Sequence, residues 1–290
     1  MIKFNKKLYF LGIFFIVLIT IIYLFLLRQK NPERVLEELS FCWKEEQAYK
    51  LEDRIIKKIK RTRSIKKRAS LNLLLGRLRF LKALNSPDIL KKVHLNLALQ
   101  ALLESRKDES FIASSDFWTG VCLYTLGTEY YGSAIDYLIS SLREGYPDRL
   151  KVIKILNYIY LKNNQFDIII KINEEFLKNR FMDLDVIYSL GRAWREKGNY
   201  KEALEVLKKA EEIPSESFVS TLIRFETAES LFGLGEYEKA ASLYSSFLKE
   251  CAQYKETEEW KNRARENLLV CLKKIKNINT DNFTELTNYH

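Results

Sequence analysis

Four stretches of the chain repeat one arrangement of landmark residues, and no other feature limits the fold as strongly. In the clearest stretch, Gly191 is followed at +7 by Gly198, at +9 by Tyr200, and at +12 and +19 by Ala203 and Ala210. The same offsets from Ala228 reach Gly235, Tyr237, Ala240 and Phe247. From Asn157 they reach Asn164, Phe166, Ile169 and Phe176, and from Cys122 they reach Glu129, Tyr131, Ala134 and Ser141. Successive starts lie 35, 34 and 37 residues apart (157 − 122, 191 − 157, 228 − 191). Each stretch reads as two helices and a tight turn. A small residue lets the second helix approach the first, and Gly198 suits the left-handed residue that ends a helix. Pro214 closes the clearest stretch, because proline cannot continue a helix. One such pair cannot bury its own apolar face, so several must stack.

This pattern resembles the tetratricopeptide repeat, a helix–turn–helix unit of 34 residues. The resemblance implies an all-α fold: a tetratricopeptide-like α-solenoid of stacked hairpins, here following a single N-terminal transmembrane helix. The expected layout is an anchor over 1–30, irregular hairpins over 31–114, and repeats over 115–254. The repeats divide as 115–148, 150–183, 184–217 and 221–254. A capping helix over 255–276, with Trp260, Ala264, Leu268 and Cys271 on one side, and a polar tail over 277–290 complete it.

Composition agrees with helices. There are only 10 Gly and 4 Pro in 290 residues, too few for the many turns of an all-β fold. Two His and four Cys form no cluster with metal-ligand spacing, so no metal and no cofactor is expected. No Gly-rich phosphate loop and no Ser/His/Asp set is present, so neither an enzyme nor a small-molecule substrate is expected. The thiols show no paired spacing, and unpaired thiols favour a reducing compartment. His94, among Val93, Leu95 and Leu97, reads as a packed or surface histidine.

Leu8 to Leu27 is an uncharged run of twenty residues, about 30 Å as a helix and therefore long enough to span a bilayer. Lys3, Lys6 and Lys7 flank one side, and Arg28 and Lys30 the other. Tyr9 and Tyr23 sit near the ends, as interfacial aromatics do. A cleaved signal peptide would be shorter and end in small residues, which LFLLRQK lacks. The flanking charges are nearly balanced. A short N-terminus leans the domain to the extracytoplasmic side, whereas the basic run that follows and the free thiols favour the cytoplasmic side.

The net charge is 48 − 38 = +10, and nearly all of it lies in Arg54–Arg68, nine basic residues without an acid. Ile55, Ile56, Ile59, Thr62 and Ile65 make one stripe there, which predicts a single basic amphipathic helix. It is read as a solvated face, as a helix on anionic lipid, or as a nucleic-acid contact, with Lys57, Lys58, Lys60, Arg61, Arg63, Lys66, Lys67 and Arg68 as the contacts. No aromatic interleaves the run, which disfavours nucleic acid. Upstream, Pro32 is placed to open a helix. Downstream, Gly76 matches Gly191 as a close-packing glycine, Ser105 to Ser110 reads as an insertion, and Asp116 as a helix cap.

In tetratricopeptide proteins the first helix of each unit lines the inner wall. The resemblance therefore implies a groove from Lys151, Lys154 and Tyr158, then Asp185, Tyr188, Arg192 and Arg195, then Leu222, Phe225, Glu229 and Phe232. That lining suits an extended peptide with an acidic and an apolar or aromatic element. The Lys and Asn clamp with which some members grip a C-terminal carboxylate is absent. Bacterial single-span members share this layout and serve envelope assembly, secretion or protein quality control. The expected role is a membrane-tethered scaffold that recruits a protein or peptide; the alternative is binding to a lipid surface or nucleic acid through 54–68.

Overall fold

The computed structural model describes residues 32–178, 182–215, 217–252, 254 and 257–276. The run 8–27 and the tail 277–290 lie outside them. Among the described residues all regular structure is helical, and none of those helices is long and apolar enough to cross a membrane. The chain divides into two compact units, Met1–Arg149 and Leu150–His290. The stretch 115–148 thus groups with the irregular N-terminal hairpins, and not with the three repeats that follow it.

In the first unit the helices are α1 (Pro32–Phe41), α2 (Glu45–Arg61), α3 (Ile65–Leu84), α4 (Asp88–Ser105), α5 (Ile112–Leu126) and α6 (Tyr131–Arg143). Leu36 and Leu39 of α1, Leu51 and Ile55 of α2, and Leu74, Leu75 and Leu78 of α3 share one core. Burying each such side chain contributes about 1.5–3 kcal/mol. Two glycines fix how closely the later hairpins pack. A Cβ on Gly76 would lie 2.5 Å from Leu102 Cγ, and one on Gly120 would lie 2.7 Å from Leu138 Cγ.

Three expectations for this unit change. The basic run is not one helix. It breaks at Thr62–Ser64, where Thr62 and Ser64 are extended and Ser64 Oγ accepts the Lys67 N–H. Like charges at helical spacing repel, and Ser64 offers an N-cap that starts a new helix. Ile65 accordingly leaves the apolar stripe and is 59% exposed. Asp116 caps nothing: it is fully buried within α5, paired with Arg106 Nε at 2.6 Å and accepting from Ser140 Oγ at 2.5 Å. Finally, the turn between α5 and α6 is made at Gly127, with a 3-10 turn over Thr128–Tyr130, and not at Glu129.

The second unit comprises α7 (Arg149–Lys162), α8 (Phe166–Lys178), α9 (Leu184–Glu196), α10 (Tyr200–Lys208), α11 (Phe218–Gly233), α12 (Tyr237–Cys251) and α13 (Glu258–Lys276). Its three hairpins turn alike. Asn164, Gly198 and Gly235 take positive φ of 54°, 79° and 78°. The next amide in each turn donates five residues back, Gln165 to Tyr160 O, Asn199 to Trp194 O and Glu236 to Leu231 O. That bond satisfies a carbonyl the helix end would otherwise orphan. The landmark aromatics Phe166, Tyr200 and Tyr237 are the first residues of α8, α10 and α12. The small or branched residues three positions on, Ile169, Ala203 and Ala240, are fully buried. α13 packs Trp260, Ala264, Leu268 and Cys271 into the core of α11 and α12.

Candidate functional site

The first helices of successive hairpins in the second unit are joined by a ladder of charged side chains. From α7, Lys154 Nζ reaches Asp183 Oδ2 at 2.9 Å and Asp185 Oδ2 at 2.5 Å. Asp183 is also the N-cap of α9, accepting from the amides of Asp185 and Val186. Between α9 and α11, Arg195 Nε lies 2.5 Å from Glu226 Oε2, and a second nitrogen of Arg195 lies 2.7 Å from Glu196. Between α11 and α13, Glu229 accepts from Asn267 at 2.7 Å and pairs with Arg263 at 2.5 Å. Tyr244 of α12 donates to the same carboxylate at 2.6 Å.

Most of these charges serve packing. Arg195, Phe225 and Glu229, expected on an open groove, are buried at 6%, 2% and 4% exposure. Leu222 is buried as well. Phe225 turns into the core against Phe247 and Tyr244, because its helix has apolar neighbours on that side and Glu226 takes the ladder position. Full burial pushes the Glu226 carboxyl above its ordinary range, and Arg195 beside it opposes that. Burial pulls the Lys154 ammonium down, but its hydrogen bonds to Asp185 and Asp183 outweigh this and leave it raised.

The part of the face that reaches solvent is narrower. Lys151 and Tyr158 on α7 are exposed, while Lys154, Asp185, Tyr188, Arg192 and Phe232 are half-buried. Lys162 lies over the Tyr158 ring at 5.7 Å. Arg192 donates from one terminal nitrogen to the Tyr188 hydroxyl at 2.9 Å. Its Nε is buried with no hydrogen-bond acceptor, and the nearest carboxylates, of Glu196 and Glu226, stand at 3.9 Å. Tyr158 and Arg192 hold equivalent positions, one residue beyond Asn157 and Gly191, on helices joined by Lys154.

Sequence reasoning missed Glu226, Arg263 and Asn267. A signal existed for the first: α11 reads FVSTLIRFETAESLFG, and apart from Arg224 its Glu226 and Glu229 are the charged residues in a helix of mostly apolar and small residues. Acids so placed must be paired to be tolerated. A separate open cleft of about 510 Å³ is lined by Leu204, Leu207, Ile213, Ile223 and Leu243, without converging charges from the ladder. Among the described residues no group of His, Cys, Asp or Glu could hold a metal ion.

The basic residues form a second charged region, in the first unit. Arg54, Lys57, Lys58, Lys60, Arg61, Arg63, Lys66, Lys67 and Arg68 are all exposed. No ion pair joins any of them to an acid among the described residues. Nearby, by contrast, Glu52 is held by Arg79 at 2.7 Å and Lys82 at 2.6 Å.

No protein-family model matches the chain and no curated protein matches it. Among solved structures, the TPR2AB-domain:pHSP90 complex of yeast Sti1 is similar at 15% identity, covering 83% of this chain and 98% of that one with a TM-score of 0.37. A score at that level carries no argument; what the structure itself shows in this unit is helical hairpins that turn alike at Asn164, Gly198 and Gly235.

Proposed function

We propose that the second unit recruits another protein by holding an extended peptide segment along α7, α9 and α11, while residues 8–27 anchor the chain in a bilayer. One observation carries the reading: the half-exposed Arg192 guanidinium is held beside the Tyr188 hydroxyl, and its nearest carboxylates among the described residues stand at 3.9 Å. A carboxylate from a peptide can meet the solvent-facing side of that guanidinium in a charge-assisted hydrogen bond. Tyr158, at the equivalent place one helix earlier, offers an aromatic platform for an apolar side chain. Arg and Tyr are residues that concentrate binding energy at interfaces. The ladder beneath them fixes the spacing of the helices, so the face is organised before a ligand arrives.

Photo-crosslinking tests this in cells. A benzoyl-phenylalanine at Tyr158 should give a discrete adduct, and one at the exposed Lys171 on α8 should give none. Equal adducts from both positions would remove the groove. Deleting residues 2–27 should move the protein from the membrane to the soluble fraction; retention on membranes would remove the anchor.

A further inference from the structure

The tip formed by the end of α2 and the start of α3 carries nine cations, with Arg54 Nε reaching the Lys50 carbonyl at 3.4 Å. They are exposed, they have no acidic partner among the described residues, and no acid lies between Arg54 and Arg68. Their placement opposes folding stability at one end. Lys58, Lys60 and Arg61 end α2, where cations are favourable. Lys66, Lys67 and Arg68 open α3, whose first turn holds no acid, and there the partial positive charge of the helix terminus repels them. Ser64 supplies only a long cap of 3.4 Å. Between the two charge groups, Ile65 stands exposed to solvent. Charges kept where they cost stability, around an exposed aliphatic side chain, fit an external anionic surface.

The uncharged run 8–27 enters this unit through α1, whose Leu36 and Leu39 share a core with Leu51 and Ile55 of α2. Val35 of α1 and Ile56 and Ile59 of α2 pack against that core. Only residues 28–31 separate that run from Pro32.

We propose that the α2–α3 tip rests on the anionic headgroups of a bilayer, with Lys57, Lys58, Arg61, Arg63, Lys66 and Lys67 meeting phosphates and Ile65 entering the interface. The proposal builds on the anchored reading for its geometry and adds a second, electrostatic contact that orients the domain. Each Lys or Arg held near an anionic bilayer adds to the attraction, within a Debye length of the surface. A nucleic acid is the weaker occupant because the run holds no aromatic to stack on a base.

The test uses the full chain and the rate of trypsin cleavage after Arg63, which lies in the extended connection. Vesicles of phosphatidylcholine with phosphatidylglycerol should slow that cleavage at least tenfold relative to phosphatidylcholine alone, and high salt should restore it. The variant Lys57→Glu, Lys58→Glu, Arg61→Glu, Lys67→Glu keeps Arg63 and should be cleaved at one rate on both vesicles. Its helical content, read by circular dichroism, should match the parent; if it does not, Lys57→Gln with Lys67→Gln serves, with partial loss of protection expected. Equal cleavage of the parent on both vesicles overturns the proposal, as does protection that survives charge reversal. Equal protection of the parent by a DNA duplex overturns the choice of a bilayer. Flotation with phosphatidylcholine alone reads the anchor separately: a chain that fails to float loses the anchor, while the response to phosphatidylglycerol still decides the tip.

Discussion

Arg195 Nε stands 2.5 Å from Glu226 Oε2, and both side chains are nearly inaccessible to solvent at 6% and 1%. This pair joins α9 to α11, and it separates two roles on one face. Arg195 holds neighbouring hairpins together, whereas Arg192, one turn earlier, keeps a donor without an acceptor. Replacing Glu226 with Gln leaves the buried Arg195 guanidinium only the more exposed Glu196 as a charge partner and should cost about 3 kcal/mol. Urea unfolding measures this, and a loss below 1 kcal/mol would mean that the pair is solvated in solution.

A Cβ on Gly191 would lie 2.5 Å from Leu207 Cγ. Alanine is the better helix former by about 1 kcal/mol, so a local effect would stabilise. Overpacking costs about 1–3 kcal/mol, and the contact with Leu207 should decide the sign. Gly191→Ala is expected to lower the melting temperature, and the double variant with Leu207→Ala should lose less than the sum of the two single losses.

Asn157 occupies the slot that Gly191 and Ala228 fill elsewhere, and its Nδ2 donates to Asn173 Oδ1 at 3.0 Å in the core. The other amide atoms of the pair, Asn157 Oδ1 and Asn173 Nδ2, have no partner. Asn157→Ala alone should cost about 1–3 kcal/mol by stranding Asn173. Asn157→Ala with Asn173→Leu should return to within about 1 kcal/mol of the parent, because no polar group is then left buried. A double-mutant cycle on urea midpoints checks both.

Burial raises the Glu52 carboxyl, but hydrogen bonds from Lys82 and Arg79 outweigh it and leave its pKa below the ordinary 4.5. A carboxylate lowered in the folded state contributes stability above its unfolded value, and that contribution fades as pH falls through the folded one. Stability should thus decline below about pH 4.5. Glu52→Gln should be less stable at pH 7 by about 3 kcal/mol and show a flatter acid limb. Parallel acid limbs in the two proteins would show that Glu52 is not linked to folding.

The four thiols are free, with Cys42 exposed and Cys122, Cys251 and Cys271 buried. Burial pushes the Cys122 thiol up to about 12, and a protonated thiol is a poor nucleophile. A thiol reagent at neutral pH should modify Cys42 promptly and the other three only on unfolding. Prompt modification of Cys122 would contradict the core described for α5.

The turns and helices of the second unit were legible because each rests on a local rule. Gly198 and Gly235 end helices with positive φ, and Phe166, Tyr200 and Tyr237 begin the helices after them. The basic run was misread because periodicity weighs apolar spacing and not capping, and Ser64 settles the break. The open groove was overdrawn for a different reason. Register from Gly191 to Ala228 placed Phe225 and Glu229 outward, but the sequence does not show that Tyr244, Asn267 and Arg263, from two other helices, converge on Glu229. Exposure is a tertiary property, and Arg195 and Arg192 look alike until Glu226 is placed.

A display library of extended random peptides, selected on the full chain, tests the central claim most directly. The account predicts that selected peptides carry an acid together with an aromatic or apolar residue. It also predicts that Arg192→Gln weakens them at least tenfold with helical content retained by circular dichroism, while Lys171→Glu leaves affinity unchanged. Peptides without an acid, or affinity indifferent to Arg192, would contradict it.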